Sequence, residues 1–257
     1  MLLPSEQRAP GVVVVIALAL WLTEVVPVFV PTLFLLVATP WTIPGSPQRG
    51  IETVIHWAAD PVLALFFGGL ALSAAAQRHG IDAGLARALV VRSRGSVRSL
   101  CALVLVGTAF LSMWMSNVAS SALVLAALGP VLRELEPLPR ARSGVLTAVA
   151  MGANVGGLCT PIGSGPNGLA IAAVAPRVGI SFAAWMGFAV PLAALLLATA
   201  HLIIRRQVDF AARATIAPGR AALTRPARMV VVLATLAVLA WLTEPLHGVP
   251  SALVSLR

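Results

Sequence analysis

The chain has 257 residues, of which 59% are hydrophobic and 11% charged, with a mean hydropathy of +0.94. That is too apolar for a soluble domain of this length and predicts a polytopic helical membrane protein. A β-barrel is excluded because the apolar runs do not alternate with polar residues at ~10-residue spacing. The formal charge of +9 comes from 18 basic residues, all of them Arg. Most fall between apolar runs, at 78–98, 133–142 and 205–228. Placed there they read as cytoplasmic anchors facing anionic lipid, not as a nucleic-acid surface.

In chain order, residues 1–10 read as an N-terminal tail without the basic region or cleavage site of a removable signal. Residues 11–77 read as transmembrane helices of a scaffold. Within them, the run 11–40 carries Pro27 and Pro31 and makes either one kinked crossing or two short ones. The stretch 78–98 holds Arg78, Arg87, Arg92, Arg94 and Arg98 at helical spacing and predicts an interfacial cytoplasmic helix.

The apolar run SLCALVLVGTAFLSMWMSNVASSALVLAALGPVL then covers 34 residues. As one helix it would span ~51 Å, against a hydrocarbon core of ~30 Å. A re-entrant hairpin over 99–132, turning at SMWMSN, fits the length and keeps Arg98 and Arg133 on the same side.

The run 143–176 contains GANVGGLCTPIGSGPNGLA. Its glycines, with Pro161 and Pro166, rule out a straight helix, since each interior Gly costs ~1 kcal/mol and each Pro ~3. A broken transmembrane helix with a non-helical centre near 156–167 is expected. Unwound backbone at membrane depth is tolerated only where it lines a protein-enclosed cavity. Its carbonyls can hold a cation, and the helix N-terminus beyond it can face an anion.

Residues 180–204 predict a further crossing past Arg177, and 205–228 a cytoplasmic Arg-rich linker with Arg205, Arg206, Arg213, Arg220, Arg225 and Arg228. The last run returns to WLTE at 241–244, the letters already met at 21–24, each after an apolar run. Residues 229–257 therefore read as the first helix of a second, truncated repeat.

Concentrated polarity at membrane depth occurs twice, at SMWMSN and at 152–170. Ser112, Ser116 and Asn117 are neutral oxygen donors suited to sodium, and the first two are four apart, which a continuous helix would bring to one face. An enzyme is not indicated: there is no HExxH, and Ser164 lacks the GxSxG spacing. Glu24, Asp60 and Glu244 lie near segment ends, as do His56, His79, His201 and His247. Cys101 and Cys159 show neither pairing nor metal spacing and read as packing residues.

SNVASSALVLAALGPVL and GGLCTPIGSGPN, together with LFFGGLALSAAAQRHGIDAGLARALV, resemble the divalent-anion:sodium symporter family of the ion-transporter superfamily. The resemblance implies an all-α fold of two inverted repeats, each with a re-entrant hairpin and a broken helix, and so two short helices within 11–40. It implies import of di- or tricarboxylates or sulfate with sodium ion as the coupling ion, by homodimers in the cell inner membrane moving as elevators.

By the same resemblance, Ser112, Ser116 and Asn117 hold sodium with the Gly163 carbonyl. Ser116 and Asn117 also touch the substrate carboxylate, beside a loop shaped by Ser164, Pro166 and Asn167. The family's Ser-Asn-Thr triplet reads Ser-Asn-Val here, so Val118 lacks a hydroxyl that would contact substrate. A second hairpin and broken helix do not occur in the chain, so a separate chain supplying that repeat is an expected partner, and the chain alone is expected not to transport. Two alternatives stand beside this reading. One is a proton-coupled antiporter or metalloid-oxyanion exporter, disfavoured because 99–132 and 143–176 contain no Asp or Glu. The other is a non-transporting fragment or split-gene subunit.

Overall fold

The computed structural model describes residues 5–27, 29–42, 47–174, 178–208 and 224–256, all helical or connecting, with no strand among them. Arg177, Arg213 and Arg220, placed above in loops, lie outside the described residues. Three helices are long and apolar enough to cross a membrane, α4 (Pro61–Arg78), α10 (Phe182–Gln207) and α11 (Arg225–Leu242). Leu192, Leu195, Leu202, Leu233 and Leu236 are exposed on the last two, as lipid-facing side chains must be. The fold is that of an all-α polytopic membrane protein.

Two compact units divide near Leu63. In the first, the run 11–40 is split into α1 (Ser5–Thr23) and α2 (Phe29–Ala38). The helix stops where Glu24 takes a φ of 50° ahead of Pro27. α1 begins at Ser5, earlier than the tail expected over 1–10, because Ser-Glu-Gln-Arg-Ala tolerates a helix and Pro10 is near its start. A 3-10 turn (Thr39–Trp41) and α3 (Pro47–Ala58) complete the unit. Gly50 lies so close to the Pro40 backbone that no side chain would fit.

The second unit is built around α6 (Val97–Ser112) packed on α8 (Pro139–Gly156). Their backbones nearly touch: a Cβ at Gly152 would fall 2.5 Å from the Leu105 carbonyl oxygen, and one at Gly156 would collide with the Ala109 backbone. This is the small-residue packing by which membrane helices gain close van der Waals contact. Around the pair, α5 (Ile81–Arg92), α7 (Asn117–Glu134) and α10 add Val90, Val124, Leu128, Val131 and Ile204 to one buried cluster. Cys101 and Cys159 are buried free thiols.

Several helices start ahead of the apolar runs because their caps extend them. Ser96 Oγ accepts from the Ser99 N–H at 3.4 Å and Thr224 Oγ1 from the Ala227 N–H at 3.3 Å, while Pro139 stands in the first turn of α8. The basic stretch 78–98 holds a shorter helix than its charge pattern suggested, because Gly80 (φ 64°) and Gly95 (φ 79°) bound α5. That helix buries Asp82, Ala86 and Val90, while Arg78, Arg87, Arg92, Arg94 and Arg98 are exposed.

The two WLTE copies both end a helix. Thr23 Oγ1 donates to the Ala19 carbonyl and Thr243 Oγ1 to the Leu239 carbonyl, each at 2.7 Å. Beyond the second copy come the single turns α12 (Glu244–His247) and α13 (Ser251–Val254), where Ser251 Oγ donates to Glu244.

Candidate functional site

The chain leaves the helix twice inside the second unit. Met113 to Ser116 separate α6 from α7, and residues 157–164 separate α8 from α9 (Gly165–Val174). Both interruptions have local causes. Ser116 takes an extended conformation (ψ 148°) and caps α7, its Oγ accepting from the Ala119 N–H at 3.2 Å. At the second, Gly156-Gly157 and Pro161 weaken and then bar the helical ladder.

Side chains tie the two interruptions into one cluster. The fully buried Thr160 donates to the Met113 carbonyl at 2.5 Å and accepts from the Gly163 N–H at 3.0 Å. Asn167, only 4% exposed, sends both amide protons back into the loop, to the carbonyls of Gly157 (2.7 Å) and Thr160 (2.8 Å). Trp185 Nε1 donates to the Leu158 carbonyl at 3.0 Å. A Cβ at Gly163 would lie 2.7 Å from the Gly157 carbonyl oxygen and 3.2 Å from that of Met113, so the loop closes only with glycine there.

Ser112 Oγ is buried, 2.7 Å from the Ala153 carbonyl oxygen and 2.8 Å from the Asn117 side-chain oxygen. A hydroxyl has one proton, and a carbonyl can only accept. The consistent arrangement has Ser112 donating to Ala153 and Asn117 turned to offer its NH2 to Ser112, since carboxamide orientation follows from the hydrogen-bond network. The Asn117 oxygen is then free to act as a ligand. Its carboxamide lies against Gly157, where any Cβ would collide with it.

Ser112 and Ser116 do not share a helical face, contrary to what their spacing suggests. The helix ends at Ser112, which is buried, whereas Ser116 is the exposed cap of the next helix. The Gly163 carbonyl accepts no hydrogen bond among the described residues. Nor do the N–H groups of Asn117, Val118 and Gly165, at the starts of α7 and α9, find a partner. Ser116, Val118, Gly165 and Pro166 are exposed, and Ser164 is half-buried. The cluster therefore presents unpaired carbonyl and amide oxygens beside two helix N-termini, which suit a cation and an anion respectively.

Thr160 escaped the sequence reading. Its signal was a hydroxyl beside Pro161 at the centre of the predicted break, but nothing local indicated a partner 47 residues away. Among the described residues no group of three His, Cys, Asp or Glu could hold a metal ion.

Broken helices joined by neutral polar groups at the core of a membrane protein are an architecture of membrane carriers. The pattern of the citrate transporter family, CitMHS, matches residues 18–256, and the chain belongs to that family. The match bears out the resemblance read from the two motifs. An uncharacterized transporter of Haemophilus influenzae is 31% identical over 200 residues, 76% of this chain and 41% of that protein. The sodium-dependent dicarboxylate transporter SdcS of Staphylococcus aureus is 26% identical over 197 residues, 72% of this chain and 37% of its own length. The inorganic phosphate transporter PHO87 of Saccharomyces cerevisiae is 24% identical over 253 residues, 94% of this chain and 27% of its own. The chain thus spans less than half the length of these relatives.

Proposed function

We propose that this chain forms part of a sodium-coupled carrier of small anions, di- or tricarboxylates first among them, in the cell's inner membrane. Sodium is held by the Asn117 amide oxygen, the hydroxyls of Ser112 and Ser116 and the Gly163 carbonyl. The anion lies against the open N-termini of α7 and α9, contacted by Ser116, Asn117 and Ser164, with Val118 at its edge and Pro166 shaping the wall. Asn167 acts by bracing the loop.

The observation that carries this reading is the joining of two helix starts with unpaired N–H groups to a cluster of uncommitted neutral oxygens. A fixed anionic ligand is absent from the cluster, so the cation must bind weakly enough to be released each cycle. The relative named as a sodium-dependent dicarboxylate transporter supports sodium as the coupling ion. Ordering the loop around sodium would also settle the donors that meet the anion, which couples the two ligands. The elevator motion, a homodimer and a second repeat supplied elsewhere complete the proposal.

The test is equilibrium binding of radioactive sodium to the purified chain, followed by gradient-driven uptake of labelled succinate, citrate or sulfate in liposomes that hold the chain together with its second repeat. Saturable sodium binding, lost in Asn117→Ala without loss of thermal stability, is the expected result. Binding unchanged in that variant would refute the assignment. Anion uptake that is indifferent to the sodium gradient would refute the coupling.

A further inference from the structure

Beside the two interruptions, whose Trp114, Met115 and Ile162 form part of its wall, the second unit contains a cavity of about 390 Å³ between α4, α5, the end of α6 and α11. Its walls are almost wholly apolar, with Leu72, Ile81, Phe110, Trp114, Val230 and Val238 among them. One end is closed where Trp241 packs against Phe182, ring centroids 5.0 Å apart, alongside Leu65 and Ile162. Since Leu65 opens α4 and Trp241 nearly ends α11, the two helices run in opposite directions along the cavity. Its other end therefore lies at Ala76 on α4 and Val230 on α11.

Asp82 lines this cavity just beyond the turn after α4, and it is 5% exposed. Oδ1 accepts from the adjacent Ala83 N–H at 2.7 Å, and Asp82 forms no ion pair among the described residues. The two wall hydroxyls are already engaged: Ser73 accepts from Gln77 Nε2 at 3.3 Å, and Thr235 donates to the Val231 carbonyl at 2.8 Å. Among the described residues that line the chamber, Asp82 is the one acidic or basic side chain. A buried charge without a partner is costly, whereas a hydrogen-bonded cation offsets much of that cost. One exposed guanidinium follows at the same end, that of Arg228, three residues before Val231 and so on the cavity side of α11.

We propose that this cavity is a binding site for an aminophospholipid of the surrounding bilayer. An acyl chain fills the apolar chamber, a primary ammonium headgroup donates to Asp82, and its phosphate faces Arg228. The order of charges selects the occupant. A choline headgroup carries the same charge but has no N–H to donate, and a glycerol headgroup has no cation. An acyl chain that leaves the bilayer for the chamber exchanges one hydrocarbon environment for another and loses little, so the headgroup decides which lipid stays.

The site is tested on the full chain by native mass spectrometry after exchange into nanodiscs of equal phosphatidylethanolamine, phosphatidylcholine and phosphatidylglycerol. Retention of phosphatidylethanolamine about tenfold above either of the others is expected, as one charge-assisted hydrogen bond allows. Asp82→Asn should abolish the preference while leaving some lipid bound. Ala234→Phe, which fills the chamber from α11, should remove bound lipid of every headgroup. Equal retention of the three lipids, or an unchanged preference in Asp82→Asn, would overturn the proposal. So would disulfide crosslinking of Ala234→Cys between two copies with no lipid retained, because the cavity would then be an interface. The readout is independent of sodium binding and uptake, so its failure leaves the proposed carrier untouched.

Discussion

Asn167→Asp replaces an amide by a carboxylate of the same size and shape. The NH2 that now serves the Gly157 carbonyl at 2.7 Å and the Thr160 carbonyl at 2.8 Å becomes an acceptor facing two acceptors. Leaving a buried acceptor unmade costs about 1–3 kcal/mol, so two carbonyls together cost about 2–6 kcal/mol. The position is 4% exposed, and an unpaired carboxylate there adds to that figure. For a chain of this size ~1 kcal/mol moves the melting temperature by roughly 2–4 °C, which predicts a fall of roughly 4–24 °C. The measurement is thermal unfolding of the purified protein in detergent, followed by tryptophan fluorescence. Asn167→Ala removes the same donors without adding charge and should fall by less. A melting temperature within 2 °C of the parent in Asn167→Asp, the span of ~0.5–1 kcal/mol, would refute the bracing role. It would leave Asn167 as a residue that acts, if at all, on the transported anion.

Gly157→Ala should displace the Asn117 carboxamide and weaken sodium binding about tenfold or more, because the added Cβ occupies its place; sodium titration measures it. Val118 is 79% exposed, so Val118→Thr should leave stability unchanged. If the new hydroxyl meets the anion it should raise dicarboxylate affinity roughly two- to twelvefold, the worth of one net hydrogen bond of ~0.5–1.5 kcal/mol, read from uptake kinetics with the second repeat present. Gly156→Ala should destabilise by about 1–3 kcal/mol by forcing α8 off α6, whereas Gly187→Ala, with open space around it, should stabilise α10 by ~0.5–1 kcal/mol; paired melting curves decide both. In a background without Cys101 and Cys159, single cysteines at Ala88 and Pro137 should label from the same side of the membrane. Labelling from opposite sides would remove the re-entrant hairpin.

The sequence by itself determined the class of molecule and the places where its helices stop. Hydropathy over α4, α10 and α11 reports a bilayer because burial of twenty apolar residues in a row is a local, additive property. Gly156-Gly157-Pro161 and Ser116 interrupt helices through their own backbone chemistry, so their effect is legible without a fold. The caps Ser96, Ser181 and Thr224 also act within three residues, through bonds to Ser99, Ala184 and Ala227. Tertiary structure alone decided what those interruptions hold. Ser112 meets Ala153 41 residues on, and Thr160 meets Met113 47 residues back. Both contacts exist because Gly152 and Gly156 let α8 lie against the α6 backbone. Equal spacing from Ser112 suggested that Ser116 would share its face, but the chain turns between them, sending one inward and the other out. Asp82 is buried beside a cavity that only α4, α5, α6 and α11 together enclose. Local chemistry encodes where a backbone can continue; partners dozens of residues apart are chosen by how closely two helices can approach.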